Sequence, residues 1–352
     1  MNHKERVLKA LSHQETDRVP LMYRDIPDVR ERLKKDLNFN TDDELFEYFD
    51  IDFRWVEPTY IGNSIITDEN YKKDIWGVEW KYSLFNENDG YWNVNKHPLA
   101  DVDQPEALDD YPWPKVSEWS FTSVESKCDK YNEYAIMTAP GIASPGILQT
   151  PIQELIGIER SFIEPYTNPL FFSKLIEKIL EFHLSFIDTF FKSANGKIDF
   201  FRIGDDFGTQ QGLLLSIDQW EQSFLQPFKK MADTAKKYGA HYYQHSCGAV
   251  RDLIPSFLKA GVEVLDPLQV TASGMNPIEL KSEYGNLICF SGGVDEQFLL
   301  PYESPEKIKE ETKKLIKIMS KNGGFFLGPT HNFQTDIPTE SIIAMYEAAK
   351  ET

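Results

Sequence analysis

The chain has 352 residues, 41% hydrophobic and 13% aromatic, with a formal net charge of -19. That much apolar material can fill one large α/β core with added segments. The negative balance disfavours nucleic acid and anionic membrane surfaces, which need concentrated basic surface, although one local basic pocket stays compatible with it.

No apolar run reaches the ~18 residues of a membrane span. Cys128, Cys247 and Cys289 stand at unrelated spacings and make no disulfide framework. The charged, amphipathic start lacks the apolar region of a secretory signal, so a reducing cytoplasm is the expected location.

In chain order, Lys4 to Leu11 reads as a short helix and Val19 to Tyr23 as a strand entering the core. To about residue 130 the pattern is irregular. Trp76-Gly77-Val78-Glu79-Trp80 and Tyr111-Pro112-Trp113-Pro114 predict a hairpin and an extended cover within a single domain spanning 1–352. From there to the end the units are regular. Ala135–Thr138 is a short strand stopped by Ala139-Pro140-Gly141. A long helix runs from about Asn168 to Ser193, with Leu175, Ile179, Phe182, Phe186 and Phe190 on one face.

Phe200–Ile203 is a strand ending in Gly204-Asp205-Asp206. Ser216, with Gln219 three residues on, predicts a capping box. Trp220, Phe224, Phe228, Met231 and Ala235 then share a buried face up to Gly239. The next strand carries Tyr243-Gln244-His245-Ser246-Cys247-Gly248. A helix near Arg251 to Ala260 follows, then a strand Val262–Leu265 ending in Asp266-Pro267. Asn276-Pro277 opens another helix. Leu287–Phe290 ends in Ser291-Gly292-Gly293-Val294-Asp295, and Ser304-Pro305-Glu306 caps a helix to about Ser320. Gly324–Leu327 ends in Gly328-Pro329-Thr330-His331-Asn332, and a last helix starts near Pro338.

Strands alternating with helices imply a parallel sheet. Polar, Gly- or Asp-rich tips on nearly every strand favour a closed (β/α)8 TIM-type barrel with an elaborated N-terminal segment, whose site lies at the carboxyl ends of the strands. No Gly-x-Gly-x-x-Gly follows the early strands and no Walker-type loop is present.

The tips gather Asp205, Asp206, His245, Cys247, Asp266, Gln269, Asp295 and His331. Residues i and i+2 of a strand point the same way, so His245 and Cys247 can converge. With His331 they would give zinc three ligands and one open position, the pattern of a catalytic site. The plain alternative stands beside this. A histidine at a strand end is more often a hydrogen-bonded rim residue, His183 inside its helix is another such case, and His-x-Cys alone is weak. Cys128 and Cys289 read as buried small side chains, the Asp205-Asp206 pair as a cap on the following loop, and Asp266 before Pro267 as a turn.

Several motifs, taken in order, resemble the uroporphyrinogen decarboxylase superfamily across the whole chain. They are Glu5-Arg6-Val7 through Asp17-Arg18-Val19-Pro20, Gly204-Asp205-Asp206-Phe207-Gly208-Thr209-Gln210, His245-Ser246-Cys247-Gly248, Ser291-Gly292-Gly293-Val294-Asp295 and Gly328-Pro329-Thr330-His331-Asn332. The resemblance implies one of two chemistries. One is cofactor-free decarboxylation of uroporphyrinogen. The other is zinc-dependent methyl transfer between a small substrate (a thiol, methoxy compound or methylated amine) and a corrinoid protein.

The decarboxylases' Arg-Gln-Ala-Gly-Arg element falls here on Arg24-Asp25-Ile26-Pro27-Asp28. Asp28 replaces the second arginine and would repel a polycarboxylate. Asp52 matches their central aspartate. On the methyltransferase side, His245 and Cys247 match the first two zinc ligands, and His331 falls where that branch usually has cysteine. That set of two nitrogens and one sulfur would be more Lewis acidic. The resemblance then assigns substrate orientation to Asp205, Asp206, Gln269 and Asp295, and a substrate carboxylate to Arg24 or Arg202. It implies zinc and a corrinoid protein partner carrying the methyl group. A decarboxylase-like enzyme without metal and a non-catalytic small-ligand-binding homologue remain as alternatives.

Overall fold

The computed structural model describes residues 1–62, 70–84, 90–138 and 146–352. The Ala139-Pro140-Gly141 stop lies outside the described residues. Seven parallel strands follow one another in chain order: β1 (Phe53–Trp55), β2 (Ala135–Thr138), β3 (Phe200–Gly204), β4 (His241–His245), β5 (Val264–Leu268), β6 (Cys289–Val294) and β7 (Phe325–Pro329). The eighth stave is the segment around Leu21. Leu327 donates its N–H to Pro20 O and Met22 donates to Leu327 O, both at 2.8 Å. On its other side Asp52 donates to Leu21 O at 3.0 Å, which joins β7 to β1 and closes the ring. The strand expected over Val19–Tyr23 is therefore in place, though only Leu21 has bridge geometry.

Two apolar cores follow from the period-2 alternation of the strands. Outward residues such as Phe201, Ile203, Tyr242 and Leu265 pack under the helices. Inward residues Phe53, Met137, Phe200, Tyr243, Val264 and Phe326 fill the barrel with Val7, Ala10 and Leu11. Those last three come from helix His3–Leu11, capped by an Asn2–Glu5 box, which plugs the amino-terminal end of the barrel. Two residues further along each strand, the same inward column carries Arg202, His245 and Asp266. The polar layer thus sits directly above an aromatic one.

The opening motif has a structural task at the plugged end. Asp52 is wholly buried. It accepts from His3 Nδ1 at 2.8 Å, Arg6 Nη1 at 2.7 Å, Arg18 Nη1 at 2.6 Å and Leu21 N at 2.7 Å. It precedes β1, so it stands at the end of the barrel opposite His245. The expected match to a catalytic central aspartate is corrected: Asp52 ties the plug helix to the closing stave.

Strand ends run closer to the mouth than the sequence predicts. Asp266-Pro267 lies inside β5 instead of in a turn, and Gly292-Gly293 lies inside β6 at φ +97° and +94°. Pairing on both sides overrides the local turn preference of these residues.

Helices Pro27–Leu37, Asp42–Tyr48, Gln149–Ile156 and Ile158–Thr167 fall where no element is expected. The long helix is Pro169–Ser193, and His183 within it is core, against Trp76 and Phe182. Ser216 Oγ accepts from Gln219 N at 3.2 Å, but the Gln219 amide goes to Ser223, so the capping box is only half made. A π-turn at Glu221–Leu225 interrupts that helix. The expected hairpin is a three-stranded antiparallel sheet of Tyr71–Lys73, Glu79–Leu84 and Gly90–Lys96, inserted between β1 and β2. Among the described residues no helix is long and apolar enough to cross a membrane.

Candidate metal centre

His245 ends β4 and Asp206 follows β3. Between them the backbone fixes a tight double turn. Asp205 N donates to His245 O, Phe207 N to Ser246 Oγ, Ser246 N to Asp266 O, and Ala249 N to Thr209 O. Gly248, at φ +90°, makes this possible. A Cβ there would lie 2.5 Å from the Gly208 carbonyl carbon, so the two turns touch backbone to backbone. Cys247 is thereby delivered to Asp206, whose Oδ1 accepts from Cys247 N at 2.9 Å.

The side chains meet above this turn. Cys247 Sγ lies 3.3 Å from His245 Nε2, and Asp206 Oδ1 lies 3.6 Å from the same nitrogen. Ligand atoms of Asp206, His245 and Cys247 all fall within 4.8 Å of one another. One nitrogen, one sulfur and one carboxylate oxygen is a donor set that zinc accepts. Among the described residues this is the group of three that can close on one ion.

His331, expected as third ligand, stands outside that group. Its ring centroid is 6.4 Å from that of His245, at 57°. The last strand brings it to the same mouth, but its backbone lies beyond β7 while Asp206 is pinned to the Cys247 turn. Burial, then Arg24 and His245, push its pKa down to about 4, so it is neutral at pH 7.

Burial also pushes the Cys247 thiol up, and the Asp206 charge adds to this. Without a metal Cys247 is therefore a thiol, not a nucleophilic thiolate. His245 is shifted down, by burial first and then by Arg202.

The remaining expected residues divide. Asp205 is wholly buried and accepts four backbone N–H bonds, from Ile147, Leu148, Gln149 and Thr150 at 2.7–3.2 Å. It anchors the start of helix Gln149–Ile156 and has no oxygen to spare for a substrate, which corrects its expected role. Burial leaves its pKa raised to about 6 despite those donors. Asp205→Ala is expected to cost about 2–4 kcal/mol of stability, by stranding buried donors at a helix start. Denaturant melts read this.

Asp295 likewise caps its own turn, accepting from Gln297, Phe298 and Leu299. Gln269 Oε1 accepts from Gly248 N at 2.7 Å and so braces the Cys247 turn. Arg24 is not free for a substrate carboxylate. Its Nη1 donates to Asp266 Oδ2 at 2.8 Å and its Nη2 to Pro329 O at 3.2 Å. Arg202 Nη2 reaches the same Asp266 oxygen at 3.0 Å, with its guanidinium 5.7 Å from the Trp55 ring centroid.

Two groups not expected to shape the site belong here. Asp266 is the hub of the polar layer. Glu296, next to Asp295, has its pKa raised to about 7, by burial and then by Asp295 and Asp336. Asp295 beside it was read at its strand tip, but the burial of Glu296 and the approach of Asp336 were not legible from the strand-tip pattern.

A family model described as uroporphyrinogen decarboxylase (URO-D) matches residues 96–352. No curated protein matches the chain in sequence. Among solved structures, a methyltransferase from Methanosarcina mazei is similar at a TM-score of 0.67 and 18% identity, covering 100% of this chain and 99% of that one. A D-psicose 3-epimerase from Clostridium cellulolyticum H10 is similar at a TM-score of 0.41 and 11% identity, covering 70% of this chain and 85% of that one. The first likeness is one of fold, and the second is too loose to carry an argument.

Proposed function

Because the chain belongs to the uroporphyrinogen decarboxylase family, we propose that it is a zinc-dependent methyltransferase of that family. It moves a methyl group between a small substrate (a thiol, methoxy compound or methylated amine) and a corrinoid protein. The observation that carries this reading is the convergence of His245 Nε2, Cys247 Sγ and Asp206 Oδ1 at the barrel mouth.

In this reading Cys247, His245 and Asp206 hold the ion, with His331 beside it. Zinc bound there supplies Lewis acidity to the heteroatom that gains or loses the methyl group. The protein's own residues do the rest. Gln269 and the Gly208–Gly248 contact keep the ligand turn rigid. Arg202, stacked over the Trp55 ring, sets a cation and an aromatic face beside His245. Glu296, its carboxyl raised to about 7 by burial, can exchange a proton near neutral pH.

Asp206 as third donor also changes the electrostatic argument. A thiolate and a carboxylate together carry two negative charges, as two thiolates would. The lean toward stronger Lewis acidity that a second histidine implied therefore falls away.

Two observations weigh against the decarboxylase alternative. Asp52 lies at the far end of the barrel, and Arg24 is committed to Asp266 and Pro329 O. Reconstituted protein is expected to hold about one zinc per chain, measured by plasma mass spectrometry. It is expected to demethylate methylcobalamin in the presence of a small thiol, read from the cobalamin absorbance. Turnover of a carboxylated tetrapyrrole by metal-free protein would establish the alternative instead.

A further inference from the structure

His245 Nδ1 has three polar neighbours: Asp266 Oδ2 at 2.8 Å, Arg202 Nη2 at 2.9 Å and Arg24 Nη1 at 3.3 Å. Two arrangements compete. If a guanidinium donates to Nδ1, the ring proton sits on Nε2 and that nitrogen cannot bind a metal. If Nδ1 carries the proton, it donates to Asp266 and the Nε2 lone pair is free.

The distances decide between them. An unprotonated Nδ1 would set its lone pair 2.8 Å from an ionised oxygen with no proton between. The guanidinium hydrogens, in contrast, already have that same oxygen as acceptor, at 2.8 Å from Arg24 and 3.0 Å from Arg202. We infer that Asp266 is the positioning residue of the centre. It takes the hydrogen bond from His245 Nδ1 and thereby turns an Nε2 lone pair toward Cys247 Sγ and Asp206 Oδ1. Its usefulness to a metal rests on the proposed zinc reading; the tautomer itself does not.

The fold builds this arrangement in. Asp266 and His245 are register partners on the parallel pair β5–β4, both pointing into the barrel. Asp266 is wholly buried and Arg24 nearly so. Burial alone would favour a neutral Asp266, yet Arg24 and Arg202 hold it far below the carboxylate range. One carboxylate faces two guanidiniums, so the layer behind His245 carries an excess positive charge. A lone carboxylate behind a ligating imidazole increases its electron donation and damps the Lewis acidity of the ion. Here the arginines offset that charge while the orienting hydrogen bond is kept.

The test uses the full-length metal-free protein at pH 8 with nitrogen-15-labelled histidine. Long-range proton–nitrogen spectra separate the two tautomers, and a His245→Gln variant identifies the signal among the seven histidines. The Nδ1–H tautomer is expected, and a dominant Nε2–H tautomer overturns the inference. In Asp266→Asn, the Nε2–H form should become populated, and zinc affinity should fall about 10–100-fold by chelator competition. A folded variant with unchanged tautomer and affinity also overturns it. If the variant does not fold, the wild-type spectrum decides alone. Failure of the wild type to bind zinc would count against the zinc reading, and the spectrum would still decide this one.

Discussion

Cys247→Ala is expected to weaken zinc binding by about 100- to 1000-fold. Apparent binding free energies of structural zinc sites are ~10–16 kcal/mol. Shared over four positions, that is about 2.5–4 kcal/mol per ligand, or roughly two to three decades in affinity. Asp206→Ala should cost the same order, because its Oδ1 lies in the converging group. His331→Ala should stay within about threefold, because among the described residues His331 makes no hydrogen bond to a proposed ligand and stands outside the converging group. Chelator competition on the three variants reads the order directly. A large loss in His331→Ala with little change in Asp206→Ala would make His331 the third ligand. Retention of full affinity in Cys247→Ala would remove the proposed centre altogether.

Asp52→Ala is expected to destabilise the fold by about 3–5 kcal/mol, the cost of breaking one side of a buried ion pair. The magnitude is large because Asp52 serves Arg6, Arg18 and His3 together. Its removal leaves two guanidiniums near the barrel floor without their common partner. Against total stabilities of about 5–15 kcal/mol, that is a large share. Urea unfolding measures it, and a loss below about 1 kcal/mol would show that the clasp adds little. The sign with pH follows from the depressed Asp52 pKa, which burial opposes and His3 and Arg18 drive. The stabilisation is present above the ordinary carboxylate range and is lost as pH falls through the folded-state value.

The long helix Pro169–Ser193 and the barrel rhythm from Ala135 onward were legible because apolar spacing and capping residues are local signals. Helices Pro27–Leu37 and Asp42–Tyr48 were not read, although a Pro at the first turn and a Thr41–Glu44 capping box mark them. Each is short and buries few residues, so the apolar pattern is faint. The ends of β5 and β6 were misplaced for another reason. Asp-Pro and Gly-Gly carry turn preferences that only neighbouring strands override.

The candidate site divides along the same line. His245 and Cys247 were legible as a pair because two residues along a strand is a fixed geometry, independent of everything else in the chain. So was their position at the carboxyl-end rim, once the strand–helix alternation implied a barrel. The third partner was not. His331 was chosen as a histidine at a strand tip that falls where the resembling methyltransferases usually have cysteine, whereas Asp206 reaches Cys247 through a backbone-to-backbone contact between two glycines forty residues apart. Likewise, Asp205 and Asp206 are adjacent and chemically identical in sequence. The tertiary structure alone makes one a helix anchor and the other a rim carboxylate, because the start of helix Gln149–Ile156 packs against Asp205 and the Cys247 turn against Asp206. Local periodicity thus determined which strands exist and which pair of candidate ligands shares a strand; strand register and turn packing decided which side chains share a point in space.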